Sequence, residues 1–228
     1  MLEQYKQQHP YLVALDSIIL GFDGESLQVL LVKRGLAAET WSLMGGWLQP
    51  DETLDDAAHR ILFELTGLST VYLEQLSAFG DPGRDPVTRT VSVAYFALVN
   101  VDDHQTRLSA AYQPRWFSVY DLPPLLFDHA DMVALALERL RYKAAHQPIG
   151  FELMPEKFTI PQLKKLYDAI YNTEFDKRNF SRKILSMGLL VKLNEKQKGF
   201  SKKGAYYYQL HRENYRRAVA SLRSFIAG

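Results

Sequence analysis

Two stretches of this 228-residue chain carry side chains of the kinds that do chemistry. The first runs from Gly46 to Leu68 and reads GWLQPDETLDDAAHRILFELTGL, with the carboxylates Asp51, Glu52, Asp55, Asp56 and Glu64 around Arg60. Carboxylates fixed on one side of a helix are the donors that a hard divalent cation requires, and such a cation lowers the pKa of a bound water. Thr53 opens a helix here. Leu54, Ala57, Ala58, Ile61, Leu62 and Leu65 recur at helical spacing, and Gly67 ends it. Ile61 and Leu65 lie at the centre of that apolar stripe and Glu64 at its edge. Asp51, Asp55 and Asp56 read as helix-start charges favoured by the dipole.

The second stretch follows Asp176, which caps a helix ended by Gly188. Phe180, Ile184 and Met187 are expected to face inward, leaving Lys177, Arg178, Asn179, Arg182 and Lys183 outside. Arginine pairs with guanine and asparagine with adenine through two parallel hydrogen bonds. Asn179 and Arg182 are neighbours at i and i+3, so both can address one groove of DNA, while Lys177 and Lys183 suit phosphates. Two strand-like runs, Leu189–Leu193 and Ala205–Leu210, bracket a segment bearing Lys196, Lys198, Lys202 and Lys203. That segment reads as a basic hairpin tip aimed at a nucleic-acid backbone.

Charge divides the chain the same way. Residues 1–149 hold 11 Lys+Arg against 19 Asp+Glu, a net charge of −8, and residues 150–228 hold 16 against 7, a net charge of +9. A split this wide predicts two modules, the second with a polyanionic partner.

The elements needed to position these groups are legible. Tyr11–Leu20 and Leu27–Val32 read as strands joined through Gly21-Phe22-Asp23-Gly24, and further strands are expected over Val71–Phe79, Thr90–Val99 and Arg115–Val119. A helix opens at Asp128 and runs to about Ala145. Gly150 to Lys157 reads as a linker. Thr159-Ile160-Pro161-Gln162 is a capping-box start, and Ile160, Leu163, Leu166, Tyr167 and Ile170 give the helix after it one apolar stripe. Helix, turn, helix and hairpin is the plan of a winged helix.

The Gly46–Leu68 stretch resembles the Nudix box: Gly46, Glu52, Arg60, Leu62, Glu64, Gly67 and Leu68 fall on that pattern at its intervals. The chain as a whole resembles the Nudix-related transcription regulators, through Trp41-Ser42-Leu43-Met44-Gly45-Gly46, Phe79-Gly80, Arg84-Asp85-Pro86, Leu126-Phe127-Asp128-His129 and Asp176-Lys177-Arg178-Asn179-Phe180. The resemblance implies an α+β chain, with an N-terminal Nudix-like α/β/α sandwich over residues 1–149 followed by a C-terminal winged-helix domain over 150–228. In the family, three glutamates at i, i+3 and i+4 hold the metal. Here those positions are Ile61, Glu64 and Leu65, two of them hydrocarbon, so the expectation is a sensor with no catalytic residue, no metal ligand and no cofactor. Glu52 and Arg60 are expected to survive as a brace. Met44 before the glycine pair looks most like the arabinose-responsive branch, which implies a pentose effector; another branch responds to ADP-ribose. Candidate effector contacts are Lys33, Trp41, Trp47, Glu64, Arg84, Asp128 and His129, with Tyr95 as a further wall. Candidate DNA contacts are Lys177, Arg178, Asn179, Arg182, Lys183, Lys198, Lys202 and Lys203.

The chain is therefore expected to be a ligand-responsive repressor of sugar (arabinose) utilisation genes that binds a palindromic operator in double-stranded DNA as a homodimer. The competing reading is a Nudix hydrolase of ADP-ribose or another nucleoside diphosphate sugar, using Glu64 with Asp81 or Asp85. Absence of cysteine removes disulfides and thiolate metal sites. Tyr11–Leu20, interrupted by Asp16, is too short to span a bilayer and lacks a cleavage pattern, so a cytoplasmic protein is expected.

Overall fold

The computed structural model of the chain describes residue 4 and residues 6–33, 40–68, 71–101, 113–146, 150–197 and 204–217. Strands β1 (Leu12–Phe22) and β2 (Leu27–Lys33) form the expected hairpin, with Leu20 opposite Val29 and Phe22 opposite Leu27. Its loop is held by Asp23, whose carboxylate accepts from the backbone N–H of Glu25 and of Ser26. β3 (Trp41–Ser42), β4 (Met44–Trp47), β5 (Tyr72–Phe79), β6 (Thr90–Asn100) and β7 (Arg115–Ser118) complete a seven-stranded sheet. Its order is β3-β2-β1-β6-β5, with β4 beside β1 and β7 beside β2. β1 and β6 run parallel, Leu12 to Phe22 against Thr90 to Asn100, so the two longest strands form the centre.

Side chains alternate across those central strands. Leu15, Ile19, Val93, Tyr95 and Ala97 face one way and pack with Ala57, Ala58, Ile61 and Leu62 of helix α1 (Leu54–Thr66). Ile18, Leu20, Phe96 and Leu98 face the other and pack with Met132, Val133, Ala136 and Leu140 of helix α2 (His129–His146). This is the sandwich that the sequence implied. β3 and β4 escaped sequence reading, because short strands crowded with glycine carry no period-2 signal.

The C-terminal module comprises β8 (Lys157–Thr159), α3 (Ile160–Tyr171), α4 (Lys177–Ser186), β9 (Leu190–Gln197) and β10 (Ala205–Leu210), with a small antiparallel sheet ordered β8-β10-β9. Thr159 and Gln162 make the capping box reciprocally, and Ile160, Leu163, Leu166 and Ile170 are buried as the stripe required.

Two expectations are corrected. Residues 150–157 are no loose linker: Phe151–Leu153 form a 3₁₀ turn, and Phe151, Leu153 and Met154 are buried. They fuse both modules into one apolar cluster that runs from Ile18 and Met132 to Leu166 and Ile184. An interface this apolar favours one fixed arrangement of the modules over free hinging. Met187, expected inside, is instead exposed, because α4 ends at Ser186 and Met187 is its cap.

Candidate functional site

Helix α1 is built for its place. Thr53 accepts from the Asp56 backbone N–H at its start and the Asp56 carboxylate accepts in return, while Gly67 closes the helix in the left-handed region with φ 71°. Arg60 braces the loop before it, donating through Nε and Nη2 to Glu52 at 2.8 and 2.6 Å and to the Trp47 carbonyl at 3.0 Å. That bidentate bond holds the Glu52 carboxyl below its ordinary range. A lowered folded pKa contributes stability above the unfolded value, and this is lost as pH falls through the folded one. Glu52→Gln is therefore expected to flatten the acid limb of a urea-midpoint against pH curve; an unchanged limb would refute the brace.

Of the two described side chains at the family's metal positions, Ile61 and Glu64, one is a carboxylate. Ile61 is 2% exposed inside the α1 core, and Glu64 is exposed with Arg60 as its ion-pair partner at 3.4 Å. The side chain of Leu65 lies outside the described residues. Asp55 accepts from the buried Tyr95 hydroxyl at 2.6 Å, and burial followed by that bond pushes the phenol up. Asp85 accepts from the Val87 N–H. No three His, Asp or Glu side chains converge on one point among the described residues.

The candidate effector residues fall into three places. Trp47 and Glu64 are exposed beside α1. Trp41 is 9% exposed and packed edge-on against Phe117, so it is a core residue rather than an open wall, as is Tyr95; Lys33 caps the indole at 5.3 Å. Arg84, Asp128 and His129 come together on the other face of the sheet, under α2. Arg84 donates to both Asp128 oxygens at 2.8 and 2.6 Å, and its side chain is 3% exposed. Burial alone would lower its pKa, but the bonds to Asp128 and the charges of Asp128, Asp16 and Asp85 outweigh that and hold it above the ordinary value.

Sequence reading missed the residue that ties this network together. Asp16 accepts from Ser92 Oγ at 2.6 Å, lies 3.9 Å from Arg84 and faces His129 Nε2 at 3.7 Å. A carboxylate inside an otherwise apolar strand was the available signal. The Leu43 backbone N–H donates to His129 Nδ1 at 3.1 Å, which leaves the ring proton on Nε2, toward Asp16. Gly45 sits against Asp16 so closely that a Cβ there would collide with the carboxylate and with the Leu15 carbonyl. The β3–β4 loop, the centre of the sheet and the start of α2 are thus wired to one buried ion pair.

At the far end, Lys177, Arg178, Asn179, Arg182 and Lys183 are all exposed on α4, and Ile184 faces in at 5% exposure. Asp176 caps the helix by accepting from the Asn179 N–H at 2.8 Å. Arg182 Nη2 donates to Asn179 Oδ1 at 2.9 Å, so the two side chains act as a pair. Lys198, Lys202 and Lys203 lie outside the described residues. On the strands leading to them, Lys192 and Lys196 set their ammonium groups 3.6 and 4.5 Å from the Tyr206 ring. Lys192 escapes sequence reading because a lone lysine in a strand carries no pattern.

Residues 10–136 match the NUDIX domain model and residues 150–210 the model of the NrtR DNA-binding winged helix domain. The chain is 32% identical over 222 residues to the "ADPR responsive transcriptional repressor NtrR" of Acinetobacter baylyi, covering 94% of this chain and 88% of that protein. It superposes on the crystal structure of Shewanella oneidensis NrtR in complex with a 27mer DNA with a TM-score of 0.79 at 27% identity, covering 90% of this chain and 95% of the other. The NUDIX domain of Shewanella oneidensis NrtR in complex with ADP ribose matches with a TM-score of 0.50 at 29% identity, covering 61% of this chain and 97% of the other.

Proposed function

This chain belongs to the NrtR-type family of transcription regulators, in which a NUDIX domain is joined to a DNA-binding winged helix, and from that premise we propose that it is an ADP-ribose-responsive repressor that leaves DNA when ADP-ribose occupies the NUDIX domain. The observation that carries the regulatory reading is Ile61, a hydrocarbon side chain buried where the family's enzymes place a metal ligand. A pocket that binds without cleaving is a sensor.

ADP-ribose replaces the pentose expected from Met44. A relative that spans both modules and a NUDIX domain structure are described with ADP-ribose, and Met44 is 1% exposed in the α1-side core, so its identity answers to packing. The proposed division is residues 1–149 for sensing and 150–228 for DNA. Glu64, Trp47 and the Arg84–Asp128–His129 network serve the sensor, the last by shaping the β3–β4 loop from beneath. Asn179 and Arg182 read bases, and Lys177, Arg178, Lys183 and the wing lysines meet phosphates. One winged helix offers few contacts, so a homodimer on a palindromic site is part of the proposal. Among the described residues no helix is long and apolar enough to cross a membrane.

A mobility shift with the chain's own upstream DNA, repeated with ADP-ribose, L-arabinose and xylose, tests the reading. ADP-ribose alone is expected to release the DNA, and at 100 times its Kd to stabilise the protein by about 2.7 kcal/mol in thermal unfolding. With Mg²⁺ or Mn²⁺ present the ADP-ribose should remain intact. Turnover near about 1 s⁻¹ would establish the hydrolase instead.

A further inference from the structure

The last four carbonyls of a helix lack partners within it, and α3 satisfies two of its own from the other module. The Asp168 carbonyl is met locally by the N–H groups of Asn172, in the left-handed region at φ 51°, and Thr173. The next two carbonyls are met by the sensor. Tyr120, two residues beyond β7, places its hydroxyl 2.7 Å from the Ala169 carbonyl and 2.9 Å from that of Ile170. Arg141 of α2 donates through Nε to the Ile170 carbonyl at 2.9 Å and through Nη2 to the Tyr120 oxygen at 3.2 Å. Tyr171 returns the contact, donating to the Arg141 carbonyl at 2.9 Å.

The capped residues adjoin the turn that aims α4. Asp168 accepts from the Phe175 N–H at 3.0 Å, with Lys164 bound to its other oxygen at 2.6 Å, and Asp176 then caps α4. Arg141 also lies on the helix whose first residue, His129, accepts from the β3–β4 loop, 12 residues or about 18 Å away along the axis. One rigid element therefore touches both the loop beside the sensor site and the carbonyls beneath the recognition helix.

We propose that Tyr120 and Arg141 are positioning residues for the recognition helix: from the sensor module they hold the end of α3, and with it the turn on which α4 stands, so that occupancy of the NUDIX domain is transmitted to DNA. The transmission, though not the positioning, rests on the function proposed above. A ligand acts this way only by binding one arrangement of α2 better than another.

The test compares the full-length chain with Tyr120→Phe and Arg141→Gln, which keep the ring and the stem, and with Lys165→Ala, which removes the exposed inter-module ion pair to Glu25. Hydrogen exchange of amides 172–186 is expected to quicken by about 2- to 12-fold per missing hydrogen bond in the first two variants, the net worth of one such bond. Exchange in β1 and β6 should not change, and Arg141→Lys, which keeps a donor for Ile170, should restore most of the protection. Lys165→Ala should behave as wild type, since exposed ion pairs hold little. Unchanged exchange at 172–186 would overturn the positioning role whatever the effector is. By fluorescence anisotropy, ADP-ribose should change wild-type DNA affinity by about 5- to 150-fold and the two variants by far less, while still binding them. A full response in both variants would overturn the transmission. A wild type deaf to ADP-ribose would count instead against the proposed effector, with the exchange result still standing.

Discussion

Replacing Arg84 by Met is expected to lower the stability of the protein by about 3–5 kcal/mol, the cost of removing one partner from a buried ion pair. The side chain is 3% exposed and lies between Asp128, which it grips with two bonds, and Asp16. Without it, two carboxylates remain under α2, Asp16 keeping its bond from Ser92 Oγ and the nearby His129 ring. Against a total stability of about 5–15 kcal/mol for a typical domain, a loss of that size leaves the sensor close to unfolding. The urea midpoint should fall with the m-value unchanged. The triple variant Arg84→Met, Asp128→Leu, Asp16→Asn should recover much of the loss, because buried charges replaced together leave none uncompensated. A single-variant loss under about 1 kcal/mol, the range of exposed pairs, would show that the network is not the structural centre assigned to it.

The second large effect is on DNA. Asn179→Ala together with Arg182→Ala removes the pair that faces outward from α4. Each bidentate base contact contributes about 1–3 kcal/mol of discrimination. The double variant should therefore bind the chain's own site scarcely better than unrelated DNA. The two substitutions will not add, since the side chains are bonded to each other. Lys177→Ala and Lys183→Ala should behave differently: affinity falls alike on all sequences, and the log–log salt slope drops by about 0.9 for each phosphate that the variant no longer neutralises. A double variant that kept its preference for the operator would remove Asn179 and Arg182 from base reading.

These effects rest on elements whose outline is written locally in the chain. Helix α1 declares itself by a stripe of apolar residues, a threonine start and a glycine stop, all within 15 residues. The α3 start and the α4 cap are equally local, so Thr159, Gln162 and Asp176 can be placed from the sequence alone. Exposure on α4 follows from the stripe on its other side. Local patterns also mislead: Gly150–Lys157 reads as linker because Gly and Pro punctuate it, yet Phe151 and Leu153 fill the space between modules. Met187 continues an inward stripe by its spacing, but the helix ends before the stripe is complete.

What the sequence determined alone was the order of the longer elements, the starts of α1, α3 and α4, the residue type at position 61 and the division of charge, since each depends on residues a few positions apart or on simple counts. Only the tertiary structure decided that Asp16, Arg84, Ser92, Asp128 and His129 form one buried network, that Trp41 is core, and that Tyr120 and Arg141 end a helix in the other module. Those groups lie far apart along the chain. What brings them together is the free-energy cost of burying a charge or a carbonyl without a partner, which no local pattern records.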